Sequence, residues 1–122
     1  MIILNDKRFC NEIFYHASTL KDIENSPTNS TIIFKYNENN IEIYKYCNQN
    51  NIDYGVEVST IKEFIFIANL NAKYAFCEEL NFASTLQKIT DNYLIQTKII
   101  LKSSINELET AVLNEIDGIF VI

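Results

Sequence analysis

Short apolar runs alternate with longer amphipathic segments from about residue 30 onward. The runs are rich in β-branched and aromatic residues, which is typical of buried strands. They cover residues 30–36, 53–58, 73–77, 97–102 and 117–122. Strands that are separated by helices of about ten to fifteen residues are joined by crossovers, and crossovers make parallel sheets. The pattern therefore predicts an α/β protein whose strands run side by side in the same direction.

The segments between these runs carry apolar residues at helical spacing. They cover residues 37–50, 61–70, 79–94 and 104–115. Ser59 has the residue type and position of an N-cap for the second of them. Nearer the N-terminus, residues 12–16 are predicted as a strand and residues 18–25 as a short helix. Residues 1–4 are interpreted either as an edge strand or as the hairpin partner of residues 12–16.

The length of the chain allows one domain, residues 1–122, around one hydrophobic core. The linkers are short, and the only proline, Pro27, lies in the one evident loop. An open, mostly parallel sheet of five or six strands with helices on both faces, as in flavodoxin-like proteins, fits this length. A half-barrel of βα units is the alternative, because a closed eightfold barrel needs roughly 200 residues or more.

Charge and composition exclude several classes of function. The net charge of −6 disfavours nucleic acid and anionic membrane surfaces, both of which select basic proteins. The N-terminus lacks the features of a signal peptide, so a cytoplasmic location is predicted. Nine of the ten basic residues are lysine, and isoleucine and asparagine are abundant. This bias resembles that of an AT-rich coding genome, so the asparagine clusters are not interpreted as functional.

The cysteines fit the same location. Cys10, Cys47 and Cys77 are odd in number and widely spaced, and no CxxC motif occurs. Reduced, mostly buried thiols are therefore predicted, without a disulfide framework or a zinc site.

Ionisable residues stand at or near the ends of the predicted strands. They are His16, Lys35, Glu57, Cys77, Glu78 and Lys102. Ligands of open parallel sheets bind at the carboxyl ends of the strands, so this group is a candidate site for an anionic small molecule or for proton transfer. The alternative is that each strand simply ends in a polar residue as it leaves the core.

Glu57 is the most informative member of this group, because it lies between Val56 and Val58 in a strand predicted to be covered. A buried carboxylate needs a partner, and Lys35 on the preceding strand is a candidate if the two strands are adjacent. The alternative is that Glu57 lies just past the covered region and is an ordinary solvated residue. His16 is the only histidine, so no metal site is predicted.

Motifs for common cofactors and reactions are absent. With only Gly55 and Gly118, the chain has no P-loop and no GxGxxG turn, and no cofactor is predicted. The motifs GxSxG and HExxH are also missing, and their absence disfavours an enzymatic function without excluding it.

An excess of apolar residues in segment 61–70 suggests a protein partner. Phe66 and Ile67 lie outside the face that the helical pattern buries, so they either pack under a neighbouring helix or form a dimer contact. The last predicted strand is also apolar, and no helix follows it. The leading hypothesis is thus a non-catalytic binding or protein-interaction module, and self-association is predicted as well. The alternative is a small enzyme or binder of an anionic metabolite at the carboxyl edge.

Three resemblances accompany these patterns. The residues at 86–89, 92–94 and 116–118 resemble those of small bacterial α/β proteins to which no activity is assigned, with similarity from about Ile32 to the end. The sequence Val56-Glu57-Val58 before a helix resembles single βα units of phosphate-binding barrel enzymes, which implies shared architecture only. The order of strands and helices also resembles that of response-regulator receiver domains, although their paired acids after the first strand are missing.

Overall fold

Seven short strands form one parallel sheet in the computed structural model, which describes residues 1–122. They are β1 (Ile2–Leu4), β2 (Phe14–His16), β3 (Thr31–Lys35), β4 (Tyr54–Glu57), β5 (Tyr74–Cys77), β6 (Lys98–Ser103) and β7 (Gly118–Val121). The spatial order is β1-β7-β6-β5-β4-β3-β2. Each strand from β3 to β7 therefore pairs with its predecessor in the chain, and the sheet curls into a half-barrel.

The helices all pack on the convex face of this sheet. They are α1 (Leu20–Glu24), α2 (Ile41–Gln49), α3 (Ile61–Asn69), α4 (Leu80–Tyr93) and α5 (Leu108–Leu113), with 3₁₀ turns at Glu38–Asn40 and Ile105–Glu107 before α2 and α5. Each helix contributes to a single core of 21 buried residues, and none contributes to the cluster on the other face. Sequential strand order with crossovers of one hand places every helix on the same side.

The parallel sheet is confirmed, in its half-barrel form. It differs from the flavodoxin-like arrangement in having seven strands and helices on one face only. Helices cover both faces where the strand order reverses, and from β2 to β7 this chain has no reversal.

β1 is an edge strand that pairs with β7, so the hairpin alternative for residues 1–4 is wrong. β2 lies at the opposite edge, beside β3. Residues 5–13, here called the strap, therefore connect the carboxyl end of β1 to the amino end of β2. Asn5 holds one end of the strap by donating from its Nδ2 to the carbonyl of Val121 at 2.8 Å. Cys10 packs against the concave side of the sheet, so the strap helps to cover the open side of the half-barrel.

The concave face has a core of its own. Six buried residues from five strands form it: Leu4, Ile33, Tyr74, Phe76, Ile100 and Phe120. Phe14 packs against this cluster, with its ring 5.2 Å from that of Phe120 in an edge-on arrangement. Gly55 makes room for the ring of Phe76, since a Cβ added to Gly55 would lie 2.4 Å from Cε2 of Phe76. Side chains therefore fill the interior of the half-barrel below its carboxyl end.

Local sequence explains how the helices begin and end. Thr60, and not the predicted Ser59, is the N-cap of α3, with its hydroxyl accepting from the N–H of Glu63 at 3.1 Å. The Glu63 carboxylate in turn accepts from the N–H of Ser59 at 2.9 Å. Past the ends of α2 and α3, Asn51 and Asn71 adopt the left-handed conformation, which asparagine tolerates better than other non-glycine residues. Some of the asparagines thus have a structural role in a chain with few glycines.

Candidate functional site

The concave face ends in charged residues at the carboxyl edge of the sheet. Glu57 of β4 is the register partner of Phe76 in the neighbouring β5, and side chains two residues apart on a strand point to the same face. On β6, Lys102 follows Ile100 by two residues and therefore points toward the interior as well. Lys102 and Glu57 form an ion pair above Phe76, and their side chains are 20% and 22% exposed.

A small pocket of about 160 Å³ lies at this point. Its lining residues are His16, Ile33, Glu57, Phe76, Lys102, Phe120 and Ile122. We call it the inner pocket. It combines apolar walls with three ionisable side chains from three different strands, β2, β4 and β6. This is the mixture typical of small-molecule sites, in which a few polar groups orient a ligand inside an apolar cavity.

A wider cleft of about 820 Å³, here called the outer cleft, opens beside the inner pocket, over the carboxyl ends of β3, β4 and β5. Its lining residues are Lys35, Tyr36, Glu57, Val58, Ser59, Glu63, Phe76, Glu78, Glu79, Asn81, Phe82 and Thr85. Glu57 and Phe76 line both cavities, so they form the boundary between them. The cleft has one lysine among four carboxylates and is therefore acidic overall.

The predicted partner of Glu57 is wrong. Lys35 is the register partner of Glu57 on β3, but it makes no ion pair and is exposed. Lys102 takes its place from two strands away on the other side. The curl of the sheet brings concave-face side chains of non-adjacent strands toward the barrel axis, which allows Lys102 to reach Glu57 across β5.

The predicted site residues divide into three groups. His16, Glu57 and Lys102 meet at the inner pocket, whereas Lys35 and Glu78 lie in the outer cleft. Cys77 belongs to neither cavity and is a correction to the predicted site. It is completely buried in the core under the helices, where burial raises the pKa of its thiol to about 12. The alternation of side chains along β5 points it away from the pocket.

The structure separates Phe66 and Ile67, for which packing in the core and a dimer contact were the two alternatives. Ile67 is fully buried in the helix-side core, so it is not available to a partner. Phe66 is exposed, and the Lys62 ammonium lies 5.6 Å from its ring centroid.

Sequence reasoning missed a second polar cluster, at the amino end of the half-barrel. Glu12 of the strap accepts hydrogen bonds from the hydroxyls of Thr31 and Tyr74, the latter at 2.7 Å, and from Lys73 Nζ at 3.0 Å. Burial is the largest influence on the pKa of Glu12 and raises it, but the hydrogen bonds from Thr31, Tyr74 and Lys73 together outweigh burial and lower the pKa. The same contact and burial raise the pKa of Tyr74. Glu12 therefore fastens the strap to β3 and β5.

Four apolar residues of the inner pocket were missed as well. Ile33, Phe76, Phe120 and Ile122 were assigned only to strands, although the alternation along each strand could have placed them on the face of Glu57 and Lys102.

A scan against protein-family models finds no match, and a search of curated proteins finds none that is significantly similar. None of the helices has the length and apolar character needed to cross a membrane. No three histidine, cysteine, aspartate or glutamate side chains lie close enough together to hold a metal ion.

Proposed function

We propose that this protein binds a small polar or singly charged anionic molecule in the inner pocket, at the carboxyl ends of its strands. The observation that carries the proposal is the meeting of His16, Glu57 and Lys102 in one apolar-walled cavity. Carboxyl ends of parallel strands are also where α/β proteins place their ligands.

The size of the pocket limits the ligand. A volume of about 160 Å³ is the share of about five water molecules in the liquid. The part of the ligand that enters the inner pocket should therefore have about five or six non-hydrogen atoms, like a short-chain carboxylate. A larger ligand would have to extend into the outer cleft, past Glu57 and Phe76.

The distribution of charge limits the ligand further. Lys102 and, when protonated, His16 attract a carboxylate, while Ile33 and Phe120 provide an apolar wall. Glu63, Glu78 and Glu79 line the adjacent cleft and repel additional negative charge. The site therefore favours a single negative charge over the double charge of a phosphate monoester.

A binding experiment with the full chain tests this proposal. Amide chemical shifts are followed by NMR while pyruvate, acetate or inorganic phosphate is added. Pyruvate and acetate should shift the signals of residues around Glu57, Lys102 and Phe120 more than phosphate does. Lys102→Met should lose at least about tenfold in affinity, since it removes the cation of a partly buried contact. Lys45→Met, on the exposed side of α2, is the matched control.

Two results would overturn the proposal. One is a set of shifts that is scattered over the surface and does not concentrate at the pocket. The other is an equal response in the Lys102 and Lys45 variants.

An interaction role has weaker support. It requires an exposed apolar surface, but of the two residues predicted for it, only Phe66 is exposed. Self-association through α3 stays a prediction. Size-exclusion chromatography with light scattering tests it by measuring the molar mass of the protein. A concentration-independent monomer would contradict it.

A further inference from the structure

We infer that Lys102 condenses with a small aldehyde or 2-oxo acid to form an imine in the inner pocket. This inference rests on the proposed ligand site and adds a chemical step to it. The observations behind it are the burial of Lys102, the proton acceptor beside it and the apolar walls around it.

Lys102 is the least exposed of the lysines that form ion pairs. Its side chain is 20% exposed, whereas Lys73 is 42%, Lys45 is 47% and Lys62 is 69% exposed. An amine reacts with a carbonyl through its nitrogen lone pair, and a hydration shell hinders that attack. Phe76, Phe120 and Ile122 replace part of this shell around the pocket. Lys102 is therefore the lysine that is best placed to react with a bound carbonyl compound.

Glu57 supplies the proton acceptor that the reaction needs. The lysine ammonium first transfers one proton to the Glu57 carboxylate, with which it is in direct contact. The nitrogen lone pair then forms the C–N bond while the carbonyl π bond breaks and its electrons move to oxygen. Glu57 returns the proton to that oxygen, giving a carbinolamine that is protonated on nitrogen and carries the single positive charge of the original ammonium.

The second half of the reaction expels water. A proton moves from the carbinolamine nitrogen to its oxygen, for which Glu57 and His16 are the titratable groups of the pocket. The C–O bond then breaks, and the nitrogen lone pair forms the second C–N bond. The protonated imine keeps the single positive charge that the ammonium had, and one water molecule leaves. No oxidant, reductant or metal is required.

The size of the pocket selects the carbonyl compound. Room for about five waters accommodates glyoxylate or pyruvate, whereas a sugar would have to extend into the outer cleft. The carboxylate of a 2-oxo acid compensates the charge on the protonated imine, with His16 close enough to line the same cavity.

The experiment uses reductive trapping. The full chain is incubated with glyoxylate or pyruvate and sodium cyanoborohydride, and the modified lysines are located by peptide mass spectrometry. Lys102 should carry at least about tenfold more adduct than Lys73 at short times, because Lys102 is the less exposed of the two and lies in a small cavity beside a proton acceptor, whereas Lys73 lines a wider cleft of about 650 Å³. Lys73 is a suitable internal reference, since it also pairs with a glutamate but is more exposed.

Two variants sharpen the test. Lys102→Arg retains a cation opposite Glu57 but cannot form an imine, so the fast adduct should disappear. Glu57→Gln removes the proton acceptor and should slow trapping by about a hundredfold. Circular dichroism establishes that both variants fold.

Labelling in proportion to exposure, or unchanged fast labelling in Lys102→Arg, would overturn the inference. Its failure is distinguishable from that of the proposed function, because binding is measured without reductant. If pyruvate shifts the pocket signals but leaves Lys102 unmodified, the imine is refuted and the binding site stands. If pyruvate neither binds nor reacts, both the imine and the proposed ligand site are refuted.

Discussion

The strap offers the sharpest test of how this half-barrel is held together. Glu12 is the strap's polar contact with the amino ends of β3 and β5, through Thr31, Lys73 and Tyr74. Replacing it by glutamine keeps the size of the side chain and one acceptor oxygen. The negative charge of Glu12 strengthens all three hydrogen bonds, and Glu12→Gln removes that charge. The stability of the whole fold should therefore fall.

The magnitude follows from the individual contacts. A hydrogen bond to a charged group contributes about 1.5–3 kcal/mol, and a neutral one about 0.5–1.5 kcal/mol. Tyr74 and Thr31 donate to different carboxylate oxygens, so glutamine keeps an acceptor for one hydroxyl while the other must turn to accept from the amide. Each bond then becomes a neutral one and loses about 1 kcal/mol. Lys73 is 42% exposed, so its ion pair with Glu12 adds less than about 1 kcal/mol. The expected loss in the free energy of unfolding is therefore about 2–3 kcal/mol, or a fall in Tm of about 8–12 °C for a domain of this size.

Urea unfolding followed by circular dichroism measures this change. Glu42→Gln is the matched control, since Glu42 forms an exposed ion pair with Lys45 on α2, and its loss should cost less than about 0.5 kcal/mol. Equal effects of the two substitutions would refute the idea that Glu12 fastens the strap.

The pH dependence of the Glu12 contribution has a definite sign. The pKa of Glu12 in the folded protein lies below its ordinary value of 4.5. Its stabilising contribution is therefore fully present above about pH 4.5 and is lost as the pH falls through the folded pKa. The stability difference between the wild type and Glu12→Gln should narrow below this range. A constant difference between pH 7 and pH 3 would contradict the assignment.

Three further perturbations test the core, a helix end and the thiols. Gly55→Ala should lower the free energy of unfolding by about 1–3 kcal/mol, because its Cβ would overlap the buried Phe76 ring; an unchanged denaturation midpoint would contradict this packing. Leu94→Gly should raise Tm, with a gain of about 1 kcal/mol, because Leu94 has a φ of 54° and is 85% exposed; a lower Tm would show that the leucine has an unrecognised contact. Of the three thiols, only the partly exposed Cys10 should react with Ellman's reagent in the folded protein, while Cys77 and the other buried thiol react after unfolding. Three fast thiols in the folded state would contradict the core.

The strands and helices were predictable because their signals are local. The run at residues 73–77 is apolar or aromatic at every position after Lys73, and the structure places β5 at Tyr74–Cys77 with each residue buried. The side on which each helix packs is not a local property. A doubly wound sheet and a half-barrel need the same lengths of strand and helix, and they differ only in the order of the strands. Sequence patterning therefore allowed both folds.

The candidate site was predictable to the same degree. The rule that ligands bind at the carboxyl ends of parallel strands brought His16, Glu57 and Lys102 into one group, and these three residues share a pocket. The same rule also included Cys77, because it selects positions along a strand without asking which face they occupy. The alternation of side chains along β5 distinguishes Cys77 from the pocket residues, since Phe76 faces the pocket and Cys77 faces the helices.

The curl of the sheet is what makes a shared pocket possible. His16 on β2 and Lys102 on β6 are four strands apart, which in a flat sheet is about 19 Å. They nevertheless line one cavity of about 160 Å³. The interior cluster maintains this curl, because Phe14 on β2 packs directly against Phe120 on β7. A substitution that flattens the sheet should thus weaken ligand binding without touching a ligand contact, which makes the pocket a property of the concave core as much as of its charged rim.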